Sequence, residues 1–377
     1  MTRLARAERL RILVIAPSRH LIRQPHPGGL EAAVWDRVRS LRALGHEVTL
    51  IAARGSDFLD RTPERMLLPG VVWGGARTSD EAYPDGYLDQ VSSVLGGVVD
   101  HLIANPDAFD LIDNHSLHPT PIERSADHGI PMLTTLHTPP LPELVAAAVV
   151  AGAAHSFVAV SSHTASEWRA FGVDSTVLPN VVDPGAWPLG PGGQDLVWFG
   201  RLVPEKGAHL AIDAARMLAR KITVLGRVGD VQYFDEAVAP RLGADVRHLG
   251  PLRRRRLAQV VGSSGCALVT PCWDEPFGMV VAEALTTGTP VAAFDRGGIS
   301  EVVRGLPGAR LVPPGDTAAL AAAASALLQT TPAERQTIRQ HAIERFSPQR
   351  WLPRLDALYR QQVSRPVVSL DRVPAEP

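Results

Sequence analysis

The chain is organised by short apolar runs that alternate with stretches carrying apolar residues at helical spacing. Arg11-Ile12-Leu13-Val14-Ile15-Ala16 reads as a buried strand. A loop rich in Pro and His follows and ends in Gly28-Gly29. Residues 30–44 then repeat apolar positions at helical intervals and stop at Gly45, a natural helix C-terminal residue. Further strands are predicted over 47–53, 111–114, 132–136 and 157–160. Strand–helix–strand alternation implies a parallel sheet with helices on both faces.

The alternation restarts after the Pro/Gly-rich segment 183–193, the clearest linker in the sequence. Strands are predicted over 196–199, 222–225, 246–249, 267–270 and 291–294, and helices over 208–219, 254–261 and 278–286. The fold class is therefore α/β, with two doubly wound Rossmann-like domains facing a cleft. The expected division is 1–184 for the first domain and 185–347 for the second. A C-terminal helix over 348–363 is expected to pack back on the first domain, with a frayed tail at 364–377. Ligands in such folds bind at the C-terminal edges of the strands.

At 377 residues the chain is comfortable for two domains, and 45% apolar with 20% charged residues is ordinary for a water-exposed globular protein. A net charge of −1 gives no reason to expect nucleic acid as a partner. Residues 1–10 are Arg-rich and the apolar run after them is too short for a signal segment, and no stretch approaches the length needed to span a bilayer. The only cysteines, Cys266 and Cys272, form no disulfide framework, so a cytoplasmic setting is expected. Only two of the 38 basic residues are lysines, Lys206 and Lys221. Against that background a lysine inside a glycine-bounded loop stands out, because a compact ammonium suits a phosphate oxygen.

That loop reads Gly200-Arg-Leu-Val-Pro-Glu-Lys-Gly207. It offers a guanidinium on Arg201 and an ammonium on Lys206. Downstream, Asp274-Glu-Pro-Phe-Gly-Met-Val-Val-Ala-Glu283 places Glu275 just before a helix start and Glu283 about two turns inside it. Carboxylates grip hydroxyls, while cations and the free amides of a helix start grip phosphate oxygens. The combination suits a sugar attached to a diphosphate and points to a sugar-nucleotide-dependent transferase.

Glu275-Pro-Phe-Gly-Met-Val-Val-Ala-Glu283-Ala-Leu-Thr-Thr-Gly-Thr-Pro resembles the signature of the retaining glycosyltransferase family 4, a group of GT-B fold. The 200–207 loop resembles that family's diphosphate loop, and Gly297-Gly-Ile-Ser-Glu-Val-Val303 resembles its following segment. Gly28-Gly-Leu-Glu31, Leu136-His-Thr138 and Val160-Ser-Ser162 are similar to weaker family patterns in the first domain. The resemblance implies that Arg201 and Lys206 hold the donor diphosphate, and that Glu283 binds the ribose hydroxyls. It implies that Glu275 contacts the donor sugar beside the backbone of Phe277, Gly278 and Met279. Gly29 would let the first domain approach the phosphate, and His137 would face the sugar near the reacting carbon. Glu275, His137, Arg201 and Lys206 are thus the expected catalytic groups.

Weaker candidates remain open between site and ordinary structure. Arg227 and Leu252 are candidates for bordering the base. His115, His118 and Asp113 are candidates for the acceptor pocket, against a reading as loop histidines and a strand-end carboxylate. The run Arg253–Arg256 reads mainly as a solvated face, with peripheral contact to anionic lipid, or to the nucleotide, as the other reading. No Asp-x-Asp pair occurs, so a metal-independent enzyme with no cofactor besides its nucleotide-sugar donor is expected. The donor would be a UDP- or GDP-sugar, and the hydroxyl acceptor a small molecule, sugar, natural product or lipid. Two alternatives stay in view: a non-hydrolysing sugar-nucleotide epimerase, and a silent nucleotide-sugar binder.

Overall fold

The computed structural model describes residues 9–71, 80, 82–152 and 155–364. The first sheet comprises β1 (Arg11–Ile15), β2 (Glu47–Ile51), β3 (Leu111–Asn114), β4 (Met132–Leu136), β5 (Ser156–Ala159) and β6 (Thr176–Val177), in the order β2-β1-β3-β4-β5-β6. The second comprises β7 (Leu196–Phe199), β8 (Ile222–Leu225), β9 (Val246–His248), β10 (Cys266–Val269), β11 (Val291–Phe294) and β12 (Ala309–Val312), in the order β12-β11-β10-β7-β8-β9. Every strand pairing is parallel. Strands β3, β4, β7, β10 and β11 are buried along their whole length. All but β3, whose Leu-Ile run ends in the buried polar pair Asp113-Asn114, read as continuous apolar or β-branched runs because helices cover both faces.

Each sheet reverses its strand order once, between β1 and β3 in the first and between β7 and β10 in the second. Loops leaving the strands on either side of such a reversal diverge and leave a crevice. This topology brings the 200–207 loop, which follows β7, against the 270–278 loop, which follows β10. In the first domain it brings the loop after β1 towards the one after β3.

The expected C-terminal helix forms over Pro348–Val363. Leu355 and Tyr359 are buried in the core of the first domain with Ile12, Val14, Leu50 and Leu133. The tail beyond it, residues 365–377, lies outside the described residues. Three details differ from the sequence expectation. Thr270 falls outside β10, because its hydroxyl donates to the Gly207 carbonyl (2.8 Å) and accepts from Trp198 Nε1 (3.0 Å), tying it to the neighbouring loop. The 183–193 segment is pinned along the second domain rather than loose. Trp187 is buried against Phe199, and the Gly190 and Gly192 amides donate to the carbonyls of Thr287 and Gly262. The short β6 and half-buried β12 were not expected, since neither carries a continuous apolar run.

Candidate active site

The 200–207 loop runs from the end of β7 through a single 3-10 turn, Pro204–Lys206, to Gly207, whose φ of 63° is in the left-handed region. A Cβ there would lie 2.2 Å from the Thr270 carbonyl oxygen, so the position needs both the backbone freedom and the missing side chain of glycine. The turn delivers Lys206 to the 270–278 loop. Its Nζ donates to Glu275 Oε2 at 2.5 Å and lies 4.6 Å from the centroid of the Trp273 ring. Trp273 Nε1 donates to the same Glu275 oxygen at 2.8 Å. The ammonium, the carboxylate and the indole therefore form a closed triangle.

Arg201 is the second cation. Its guanidinium donates to Asp80 Oδ2 at 2.7 Å and to Glu205 Oε1 at 3.2 Å. Arg227 reaches the same Asp80 oxygen at 2.5 Å while its Nε donates to the Pro27 carbonyl at 3.1 Å. Burial alone would raise the Asp80 carboxyl, but His20, Arg227 and Arg201 outweigh it and hold it well below the usual carboxylate range. Arg227 thus sits in the crevice beside Arg201 and faces the first domain. Asp80 carries no motif and went unnoticed in the sequence, because only the tertiary fold brings it between two guanidiniums.

The helix Met279–Thr286 starts directly after Gly278, which adopts a φ of 90°. The first amides of such a helix have no intrahelical acceptor and carry partial positive charge. The side chain of Phe277 is buried against Phe346, so only its backbone borders the crevice. From the first domain, a Cβ on Gly29 would be 3.4 Å from Met279 Cγ, and one on Gly28 would be 3.6 Å from Arg201 Cδ. The Gly28-Gly29 turn therefore lies against both donor-side segments. Leu252 is half-buried against the second domain's core.

Glu283 is buried on the inner side of its helix. Burial pushes its carboxyl up to about 8; Arg254 opposes the rise and Asp36 adds to it. Arg254 corrects the reading of the 253–256 run as solvated. Its guanidinium makes two 2.8 Å bonds to the Asp36 carboxylate of the first domain and stacks on Trp35, while its amide donates to Gln24 Oε1. Sequence alone has no way to single out one arginine of four. Two family-like patterns also meet across the crevice. Ser161 Oγ donates to the Pro276 carbonyl (2.6 Å), and the Ser162 amide and hydroxyl donate to Glu301 (2.7 and 3.0 Å).

His137 follows β4 and is half-buried. Its Nε2 lies 2.8 Å from His115 Nδ1. Burial first, then the neighbouring His115 and Arg37, lower its pKa well below the usual histidine value, so the ring is neutral at pH 7. Asp113 and His115 are fully buried; Asp113 Oδ2 accepts from the Tyr359 hydroxyl and Arg37 and lies 3.0 Å from His115 Nε2. His118 contacts the Ser92 hydroxyl at 3.0 Å and accepts from the Thr120 amide. Among the described residues no His, Cys, Asp and Glu side chains gather as a metal-ligand set, and no helix is long and apolar enough to cross a membrane.

Two family models account for most of the chain. Residues 27–186 match Glycosyltransferase Family 4 and residues 186–345 match Glycosyl transferases group 1. The chain belongs to this family and is a glycosyltransferase. It is 29% identical over 332 residues to a phosphatidyl-myo-inositol mannosyltransferase of Mycolicibacterium smegmatis, covering 80% of this chain and 82% of that one. It is 33% identical over 176 residues to a glycogen synthase of Mycobacterium tuberculosis, spanning 44% of this chain and only 42% of that enzyme. The fold matches the crystal structure of Anabaena HepE in complex with UDP and glucose, at a TM-score of 0.71 and 20% identity over 93% of this chain and 99% of HepE. The two facing Rossmann-like domains are those of the GT-B architecture.

Proposed function

We propose that the protein moves a sugar from a nucleotide-diphosphate sugar, a UDP- or GDP-sugar, to a hydroxyl acceptor, with retention at the anomeric carbon and without a metal ion. One observation carries this reading. Arg201, Arg227 and Lys206 converge at the edge where β7 and β10 part, and each is satisfied by a carboxylate, from Asp80, Glu205 or Glu275. A diphosphate presents the same chemistry, acceptor oxygens bearing negative charge, and can replace those carboxylates on the same cations. Breaking the C1–O bond builds negative charge on the diphosphate, and preorganised cations and helix amides stabilise it without rearranging during the step. These cations take the role a metal fills in other transferases. Retention follows from the family 4 signature. Glu275 meets the sugar, Glu283 the ribose, and His137 the reacting end. The acceptor hydroxyl enters over the first-domain loops. The match to a mannosyltransferase and the UDP named with HepE support a nucleotide-sugar donor.

Thermal stabilisation by UDP, GDP, ADP, TDP and their sugar conjugates, with and without Mg²⁺, tests the reading. A single base is expected to raise the midpoint without metal, by the equivalent of about 2.7 kcal/mol at a hundred times its Kd. A well-folded sample that responds to no nucleotide overturns it.

A further inference from the structure

The loop that carries Glu275 is fixed by its backbone on both sides of Trp273. The Cys272 amide donates to the Glu205 carbonyl at 2.8 Å, and the Gly298 amide donates to the Glu275 carbonyl at 2.6 Å. A Cβ on Gly297 would lie 2.5 Å from the Glu275 amide nitrogen, so the 297–298 turn packs directly on that backbone. What the backbone leaves undetermined is the Glu275 side chain. Two donors meet it, Lys206 Nζ at 2.5 Å and Trp273 Nε1 at 2.8 Å, and both use the same oxygen, Oε2. Among the described residues Oε1 has no hydrogen-bond partner, and the side chain is 18% exposed.

The two donors differ in what else they can do. Lys206 is an ammonium on a flexible stem with a second anion to serve, because a donor diphosphate competes with Glu275 for it. An indole N–H only donates, and it carries no charge that would draw it to phosphate. Trp273 is two residues from Glu275 on a backbone held at both ends, so its bond to Oε2 does not depend on where Lys206 goes. The indole ring centroid lies 4.6 Å from Nζ, within cation–π range, which keeps the ammonium beside the loop while it changes partner.

We propose that Trp273 is a positioning residue for the transfer: its indole N–H holds Glu275 Oε2 while Lys206 passes to the donor diphosphate, so that Oε1 stays free for a hydroxyl of the donor sugar. This rests on the transferase reading above. Without the indole, departure of Lys206 leaves the carboxylate with neither donor, and its side chain turns among rotamers when the sugar needs it fixed. The role is separate from diphosphate binding, which Trp273 does not enter.

The test reads the bond and the turnover separately, on the full chain. Trp273→Phe keeps an aromatic ring beside Lys206 and removes the N–H. Turnover is read as nucleoside diphosphate released from the nucleotide sugar that stabilises the wild type. Its kcat is expected to fall about 10- to 100-fold, with KM within about threefold and the Kd of the nucleoside diphosphate within about twofold. In a Glu275→Ala background the same change is expected to cost less than about twofold more, because the carboxylate it acts through is gone. In a ¹H–¹⁵N spectrum, the indole resonance assigned by its loss in Trp273→Phe is expected to move upfield in Glu275→Ala. It is expected to stay downfield when the nucleoside diphosphate saturates the wild type. A kcat unchanged by Trp273→Phe, a loss as large without Glu275 as with it, or an indole resonance indifferent to Glu275→Ala overturns the proposal. Should Trp273→Phe fail to fold, Trp273→Tyr serves for assignment and the response to Glu275→Ala decides. A wild type that releases no nucleoside diphosphate from any nucleotide sugar overturns the transferase reading; an active wild type indifferent to loss of the indole overturns only this one.

Discussion

At the scale of single residues, the site pairs two of the groups proposed to meet substrate with each other. Lys206 and Glu275 neutralise one another at 2.5 Å, so removing either leaves its partner changed as well. Glu275→Gln retains the size and the bond to Trp273 but loses the charge facing the sugar. It should lower kcat by about 10²-fold or more with modest change in donor affinity, measured as kcat and KM for the donor. Lys206→Ala should weaken nucleotide binding and turnover together, because the ammonium meets the diphosphate in both ground and transition states; an unchanged nucleotide Kd places Lys206 off the diphosphate. Glu283 gives a pH test. Its carboxyl titrates near 4.5 in the unfolded chain and at about 8 when folded. Below 4.5 both states hold the proton. Between the two values only the unfolded chain releases it, so stability falls as pH rises through that window. Glu283→Gln mimics the protonated form and should melt with the wild type at pH 5 but higher at pH 8, by on the order of 1–3 kcal/mol. Above pH 8, where the wild-type carboxyl is ionised, the same variant should bind nucleotide more weakly, since ribose hydroxyls prefer the carboxylate. Melting curves that stay parallel from pH 5 to 8 would mean Glu283 is ionised in the fold.

At the scale of elements, loop shape carries the site. Gly207 lets the 3-10 turn close against Thr270. Gly207→Ala combines an unfavourable φ with a 2.2 Å clash against the carbonyl oxygen of Thr270, whose hydroxyl holds the two loops together through the Gly207 carbonyl. It should cost about 2–3 kcal/mol in stability and displace Lys206, seen as a lower melting temperature and a smaller nucleotide-induced shift. This loop was legible in the sequence because its glycines and rare lysine stand out locally. So were β7, β8 and β11, whose apolar runs need only local reading. What escaped depends on distant partners. Trp187 is hidden in a segment whose Pro and Gly suggest a loose linker, yet its ring is buried against Phe199. Arg254 differs from Arg253, Arg255 and Arg256 only in meeting Asp36, more than two hundred positions away. Asp113 and His115 stayed open between an acceptor pocket and ordinary structure because local sequence does not show what packs over a strand end; the returning Tyr359 hydroxyl on Asp113 shows that they are buried.

At the scale of the whole molecule, the two domains are held together by polar contacts along the crevice, among them ion pairs of Asp36 with Arg254 and of Asp80 with Arg201 and Arg227. Asp36 and Arg254 pair through two 2.8 Å bonds, with both side chains about 7% exposed. Besides the Asp80 pairs, the contacts include Ser161 on the Pro276 carbonyl, Ser162 on Glu301 and Arg227 on the Pro27 carbonyl. Asp36→Ala breaks the buried pair with Arg254, which costs about 3–5 kcal/mol, and leaves the Arg254 guanidinium over Trp35 with Glu283 as a remaining carboxyl within its field. The remaining contacts are worth about 1 kcal/mol apiece, somewhat more where Glu301 or Arg227 lends a charge. That cost exceeds any one of these contacts, so the variant is expected to relieve its buried charge by letting the crevice open beside Asp36 and Arg254 meet water. Small-angle scattering should then give a larger radius of gyration than wild type for the ligand-free protein, with far-ultraviolet circular dichroism unchanged. Adding the nucleotide that stabilises the wild type should return the variant towards the compact value, because a diphosphate on Arg201 and Lys206 that also touches the Gly28-Gly29 turn rejoins the two halves. An unchanged radius with a large drop in melting temperature would mean that the polar contacts around Pro276 and Glu301 hold the crevice shut by themselves.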